Sequence, residues 1–311
     1  MAGYALIVGG ANLDLLGATA GALAMGDSNP GRIRASPGGV ARNVAENLAR
    51  LGVVAHLLSA VGNDAFGASV LAATAQAGVH VDQCWQLPLA ATSTYLSLHG
   101  PNGDMVVAIN DMGILDSITP ALLSRQAVLF SKASVIVVDC NLSTQALGWI
   151  CSKFANKPIV VDAVSAHKCG RIQSWLGSVH TLKLNQLEAG TLSGLACEDT
   201  ADVEAIAHWL HTKGVHHVAI SLGAKGVYWS AQNSGSGWQA PLACKVVNTT
   251  GAGDALTAGL VYGLLQAYAL ERSVAFAQGC AAVTVGCAAA NHPNLSVALV
   301  TELVTQSTVL L

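Results

Sequence analysis

Asn248-Thr249-Thr250-Gly251-Ala252-Gly253-Asp254 runs directly into an apolar stretch, residues 255–270. Two glycines around one small residue let the backbone turn tightly and leave its N–H groups open. The N-terminus of the helix that follows adds about half a positive charge. Such a turn is an anion site suited to phosphate, or to the charge that develops when a phosphoryl group moves. Asp254, at the helix start, is a carboxylate beside that site, placed to take a proton from an attacking hydroxyl. The same pattern also fits an ordinary helix with a favourable acid near its dipole. The apolar stretch itself is 16 residues and contains Thr257, Gly259, Gly263 and Gln266. That is short of the about 20 residues a bilayer requires, so it reads as a buried helix.

Upstream of this turn, short β-rich apolar runs alternate with helical patterns, which predicts parallel strands joined by crossover helices. Strands are expected at 5–8, 55–60, 135–138, 159–161, 181–184 and 218–221. Helices are expected at 40–51, 66–77, 144–154, 171–176 and 203–213, and the C-terminal part adds 253–268, 273–290 and 296–304. Residues 94–98 and 105–109 break the rhythm, because Gly100-Pro101-Asn102-Gly103 joins them as an antiparallel hairpin. That hairpin is either a lid over a site or an ordinary edge hairpin. With no internal repeat or linker, one continuous domain is expected over residues 1–311.

Composition narrows the function classes. The 311 residues are 52% hydrophobic and 11% charged, with a net charge of −3. A slightly acidic chain lacks the electrostatic footprint of a nucleic-acid binder, and its apolar content is ample for a buried core. Mean hydropathy is +0.49, yet no stretch is long enough to predict a membrane span. The N-terminus has no basic region before its brief apolar run, which argues against a signal peptide. Of the eight cysteines no pair is spaced C-x-x-C, and reduced thiols in the cytosol are the expectation. Neither a P-loop nor a G-x-G-x-x-G fingerprint occurs, against P-loop and nicotinamide chemistry.

Four further motifs could carry chemistry. Gly38-Gly39 precedes a helix that holds Asn43 one turn in, and its amide both donates to and accepts from a polyhydroxylated ligand. Asn12-Leu13-Asp14 lies just past the first strand, where open α/β sheets gather ligands. Asn185 and Glu188 share one face of a helix start and suit either Mg²⁺ or a simple helix cap. Ser221, Gly223 and Gly226 follow a strand and let backbone pass near a nucleotide.

Taken in order, these pieces resemble the ribokinase-type carbohydrate kinases, also called the phosphofructokinase B family, over essentially the whole chain. The resemblance implies an α/β fold: a three-layer αβα domain with a mainly parallel central sheet, plus a small β lid from insertions around 12–37 and 92–112. Less generic stretches, at 27–31, 108–112, 139–141, 164–169 and 276–280, are most similar to the pseudouridine-phosphorylating branch of that family. The resemblance therefore implies ATP- and Mg²⁺-dependent phosphorylation of a nucleoside 5′-hydroxyl, in the cytoplasm, by a homodimer joined through the lid. No nucleic acid or membrane partner is implied.

Residue by residue, the resemblance makes Asp254 the base and Gly251, Ala252 and Gly253 the anion hole. Asn12, Asp14, Gly38, Gly39 and Asn43 match sugar-binding positions, with Asn110, Asn141 and Lys168 as further substrate contacts. Asn185, Ser221, Gly223, Gly226 and Gln278 fall on the nucleotide, and Glu188 on Mg²⁺ through water. The family usually has Asp where this chain has Asn248, which bears on a K⁺ site expected at Asn248 and Thr250. Another nucleoside or ribose kinase of the family, or a non-catalytic binding protein of the same fold, stands as the alternative.

Overall fold

The computed structural model describes residues 3–309. Its strands in chain order are β1 (Ala5–Val8), β2 (Asn12–Thr19), β3 (Gly31–Gly38), β4 (Ala55–Leu58), β5 (Ala60–Gly62), β6 (Trp85–Leu87), β7 (Thr94–His99) and β8 (Met105–Asp111). They continue with β9 (Val135–Asp139), β10 (Ile159–Asp162), β11 (Thr181–Asn185), β12 (His217–Ser221), β13 (Val227–Ala231) and β14 (Gly235–Gln239). The main sheet has the order β14-β13-β12-β11-β10-β9-β1-β4. From β4 to β12 all its strands are parallel, while β13 and β14 add antiparallel at one edge.

Side-chain alternation along a strand explains the layers. On β1, Leu6 and Val8 join one core with Leu147, Ile150, Leu192 and Ile206 of helices Thr144–Lys153, Gln186–Ser193 and Thr200–Thr212. Ala5 and Ile7 face the other way, into a core with Val44 and Leu48 of helix Val40–Arg50 and Ala258 and Val261 of helix Ala252–Leu265. Helices thus cover both faces of the sheet, as a parallel sheet requires. The apolar stretch behind the glycine turn is a buried helix, and among the described residues no helix is long and apolar enough to cross a membrane. All eight cysteines are free.

From β1 the chain moves out to β4 and later returns to β9 on the other side of β1. That reversal opens a crevice at the carboxyl ends of β1 and β9, where ligands bind in open α/β sheets. A second sheet of order β3-β2-β7-β8 stands above these ends. It contains the expected hairpin, but with β2 and β3 added to it.

Several expectations need correction. The strand expected at 55–60 is two strands, β4 and β5, in different sheets. The helix expected at 171–176 is a 3₁₀ helix, Gly170–Ser178, bounded by glycines near both ends. The β13–β14 hairpin was not expected, because Gly-Ser-Gly-Trp-Gln has little strand propensity of its own. Asn12 and Asp14 lie just past β1 as expected, inside β2.

Candidate active site

Each parallel strand delivers polar residues at its carboxyl end: Gly9-Gly10 after β1, Asp139 on β9, Asp162 on β10, Lys183 and Asn185 on β11, and Ser221 on β12. Asp139, Asp162 and Lys183 are register partners across three neighbouring strands. The Asp139 carboxylate accepts from the backbone N–H of Gly10 at 2.8 Å, Ala41 at 3.0 Å and Asn141 at 2.9 Å. It thereby ties the first-strand loop to the start of helix Val40–Arg50. Burial pushes its pKa above the ordinary value, and those N–H donors oppose the rise.

Gly251 occupies the left-handed region at φ 81°, and a Cβ there would run into the Ala290 carbonyl. Only glycine fits that position without displacing the 288–291 loop. Ala252 N–H turns back to the Thr249 carbonyl at 3.3 Å, so Gly251 and Gly253 are left with N–H groups that have no partner among the described residues. Asp254 sits in the first turn of the helix and accepts from Asn43 Nδ2 at 2.7 Å. Burial is the main influence that raises its pKa, to about 7, with the Asp162 carboxylate next; the Asn43 bond and Lys183 pull the other way.

Below the turn, Thr257 Oγ1 donates to Asp162 Oδ2 at 2.7 Å, and Lys183 Nζ pairs with the same oxygen at 3.2 Å. A Cβ on Gly253 would lie 2.9 Å from Lys183 Nζ, so the ammonium lies directly against the turn. Burial disfavours the Lys183 charge, but Asp162, Glu188 and Asp254 together outweigh it and hold the pKa above the usual lysine value.

At the start of β2, Asn12 Nδ2 donates to Asp14 Oδ1 at 2.6 Å, and Gly38 leaves room for the Asp14 carboxylate. Gly39, at φ 100°, packs against the Gly10 carbonyl. Register places Ser36, Asp14, Tyr95 and Asn110 in one row across the small sheet, on one face. Asn110 is exposed there and is not drawn into the cluster around Asp254. Lys168 Nζ donates to Asn141 Oδ1 at 2.7 Å, which joins those two residues beside Asp139.

A cavity of 940 Å³ opens on the other side of the glycine turn, a volume suited to a nucleotide-sized ligand. Asn185, Ser221, Gly223, Gly226, Ala252, Gly253 and Gln278 line it, with apolar Leu256 and Val285 on its wall. The glycine turn, through Ala252 and Gly253, thus forms part of the wall of a largely apolar cavity, and Asp254 follows it in sequence.

The model of the pfkB family carbohydrate kinases matches residues 3–296. The chain belongs to the pfkB family. This pfkB kinase is 48% identical over 301 residues to the pseudouridine kinase of Escherichia coli K12, covering 97% of this chain and 96% of the relative. A carbohydrate kinase from Agrobacterium tumefaciens is 26% identical, with a TM-score of 0.86 and 97% of each chain covered. The Arabidopsis thaliana ribokinase complexed with ribose and ATP shares the fold: TM-score 0.89 at 22% identity, over 98% of this chain and 99% of that one.

Three residues at the carboxyl ends of the parallel strands were given no role from the sequence: Asp139, Asp162 and Lys183. The available signal was an apolar strand run that ends in a charged residue, Val-Ile-Val-Val-Asp and Ile-Val-Val-Asp. Glu188 is buried, and both its oxygens are engaged by Asn185, through N–H at 2.7 Å and Nδ2 at 2.7 Å. It is therefore the capping partner of its helix. Burial raises its pKa, Lys183 lowers it and Asp162 raises it again. Three carboxylates, Asp162, Glu188 and Asp254, face one ammonium, an excess of negative charge that fits a divalent cation brought in with phosphates. The K⁺ site fits less well. Asn248 carries no charge; its Nδ2 donates to the Ala288 carbonyl at 3.0 Å, and its Oδ1 accepts from Thr250 N–H at 3.0 Å.

Proposed function

We propose that this kinase transfers the γ-phosphoryl group of ATP to the ribose 5′-hydroxyl of pseudouridine, giving pseudouridine 5′-phosphate and ADP. The observation that carries the chemistry is the Asp254 carboxylate, held by Asn43 in the helix turn that follows Gly251 and Gly253. The choice of nucleoside rests on the 48% identity to the E. coli pseudouridine kinase.

Asn12, Asp14, Gly38, Gly39 and Asn43 hold the ribose, with Asn110, Asn141 and Lys168 toward the base. Asp254 Oδ1, which has no protein partner among the described residues, takes the proton from the 5′-hydroxyl as its oxygen bonds to the γ-phosphorus. The bond from phosphorus to the bridging oxygen breaks, and its electron pair leaves on ADP. The N–H groups of Gly251 and Gly253, with Lys183 behind them, face the negative charge of the transferring group. Mg²⁺, reached from Glu188 through water, supplies neutralisation of phosphate charge when bound. No K⁺ is included, because the Asn248 amide already bridges the two loops.

The small sheet acts as a lid in this proposal, and its outer face explains a homodimer. Ile33, Gly17, Leu98 and Val107 form one cross-strand row and Ala35, Leu15, Leu96 and Ile109 the next, both on the face opposite Asp14. Ile33 is 80% exposed and Ile109 61%, an apolar patch a soluble monomer seldom leaves uncovered. Light scattering should return the mass of two chains; the mass of one would remove the dimer. Eight unpaired cysteines suit a reducing cytoplasm.

Pseudouridine keeps an N1–H that uridine lacks, and a buried acceptor for it would reject uridine. That acceptor comes from the lid, which includes the 27–31 segment. With purified protein, Mg-ATP and a panel of ribonucleosides, ADP release should show kcat/KM for pseudouridine at least about tenfold above uridine. Preference for free ribose or adenosine would instead favour a different kinase of the family. No ADP release with any acceptor would leave a binding protein.

A further inference from the structure

Asn43 presents a problem of orientation. Its amide has a donor end and an acceptor end, and only the donor end suits a carboxylate. A flip by 180° would set Oδ1 against Asp254 and push the two apart. We propose that Arg42, buried in the adjoining helix turn, is the positioning residue that locks this amide and so aims the base. The inference rests on the assignment of Asp254 as that base.

The argument is one of donors and acceptors. Arg42 Nη1 lies 3.0 Å from Asn43 Oδ1. A guanidinium only donates, so the atom facing it must be the carbonyl oxygen, which leaves Nδ2 for Asp254 at 2.7 Å. Arg42 itself is 5% exposed and held on every side. Its Nε donates to Thr74 Oγ1 at 3.1 Å, and its Nη1 also reaches the Pro37 carbonyl at 3.3 Å and Asn291 Oδ1 at 3.2 Å. Its Nη2 pairs with Glu46, whose other oxygen is taken by Arg50. Asn291 Nδ2 in turn donates to the Asn43 carbonyl at 2.9 Å, which clamps the backbone of the same residue. The Pro37 contact also links this strut to the loop that carries Gly38 and Gly39. None of this machinery touches the reacting atoms; Arg42 acts through Asn43.

Arg42→Lys is the informative variant. A lysine keeps a positive charge for Glu46, so the helix stays paired, but a single ammonium cannot serve Glu46, Pro37, Asn291 and Asn43 together. Kinetics should show kcat for the nucleoside down by about tenfold or more, with KM for ATP unchanged. The Asp254 carboxylate is also faced by Asp162 and Lys183, with the charge of Asp139 also acting on it, and none of these is altered. The Asn43 bond pulls the Asp254 pKa down, so its loss should move the acid limb of kcat/KM upward by about one pH unit. NMR titration of the Asp254 carboxyl reads the same shift without turnover, so it stands even if the nucleoside assignment fails. In an Asn43→Ala background, Arg42→Lys should add nothing further. An unmoved Asp254 titration in folded Arg42→Lys, or losses that simply add in the double variant, would overturn the proposal.

Discussion

Asp254→Asn is expected to lower kcat by about 10²-fold or more while leaving ADP affinity unchanged. The substitution keeps the shape of the side chain and an oxygen that still accepts from Asn43 Nδ2, now 2.7 Å away. What disappears is basicity: an amide does not take the 5′-hydroxyl proton. The nucleotide wall at Asn185, Ser221, Gly223 and Gln278 is untouched, so binding of ADP, followed by calorimetry, separates loss of chemistry from loss of fold. Near-normal turnover in a folded variant would remove Asp254 from its role. Stability should move in the opposite direction. The folded-state pKa of Asp254 is raised, to about 7, so the folded form holds a proton that the unfolded chain has already released. Its contribution is present below the ordinary carboxylate pKa and is lost as pH rises through about 7. Above that pH the parent carries a buried charge that the asparagine variant lacks. Melting temperatures at pH 8 should therefore place Asp254→Asn at or above the parent, the stability–activity trade expected of a residue strained for function.

How much of this site can be read from the chain alone follows from how its residues are spaced. The glycine turn and Asp254 are legible because seven consecutive residues, 248–254, carry the turn and the acid that follows it. Asn43 is legible because a glycine pair announces the helix it sits on. Asp139, Asp162 and Lys183 are not, since each is a single residue at the end of its own strand. Only the register of β9, β10 and β11 makes them neighbours, and register is a property of the whole sheet. The lid divides in the same way. Its hairpin has a local turn signal, but β2 pairs in parallel with β7 across some eighty positions, with no local mark to announce it. At Asn185 and Glu188 the residue pattern is compatible with a cap or a metal site; hydrogen bonding at both ends of the pair forms the cap, which is compatible with a cation held through water.

Lys183→Met should also lower kcat by about 10²-fold, and the reason for the loss can be isolated. The ammonium lies against Gly253 and is the counter-charge of Asp162, Glu188 and Asp254. Its removal has two consequences. Asp162 is left in a buried site with only two uncharged donors, Thr257 Oγ1 and the Val164 N–H, and breaking a buried pair from one side costs about 3–5 kcal/mol. The glycine turn also loses the positive charge behind it, just where phosphoryl charge accumulates. A double variant, Lys183→Met with Asp162→Asn, removes both members of the pair and spares the site an orphaned carboxylate. Stability should then recover toward the parent, as read by thermal melting. If Lys183 serves phosphoryl transfer, kcat stays low in the double variant despite the recovered fold. If it serves only to neutralise Asp162, turnover returns with stability, and the ammonium has no part in catalysis. The first outcome is expected, because Lys183 faces Asp254 and Glu188 as well as Asp162, and replacing Asp162 alone does not restore a positive charge to the turn.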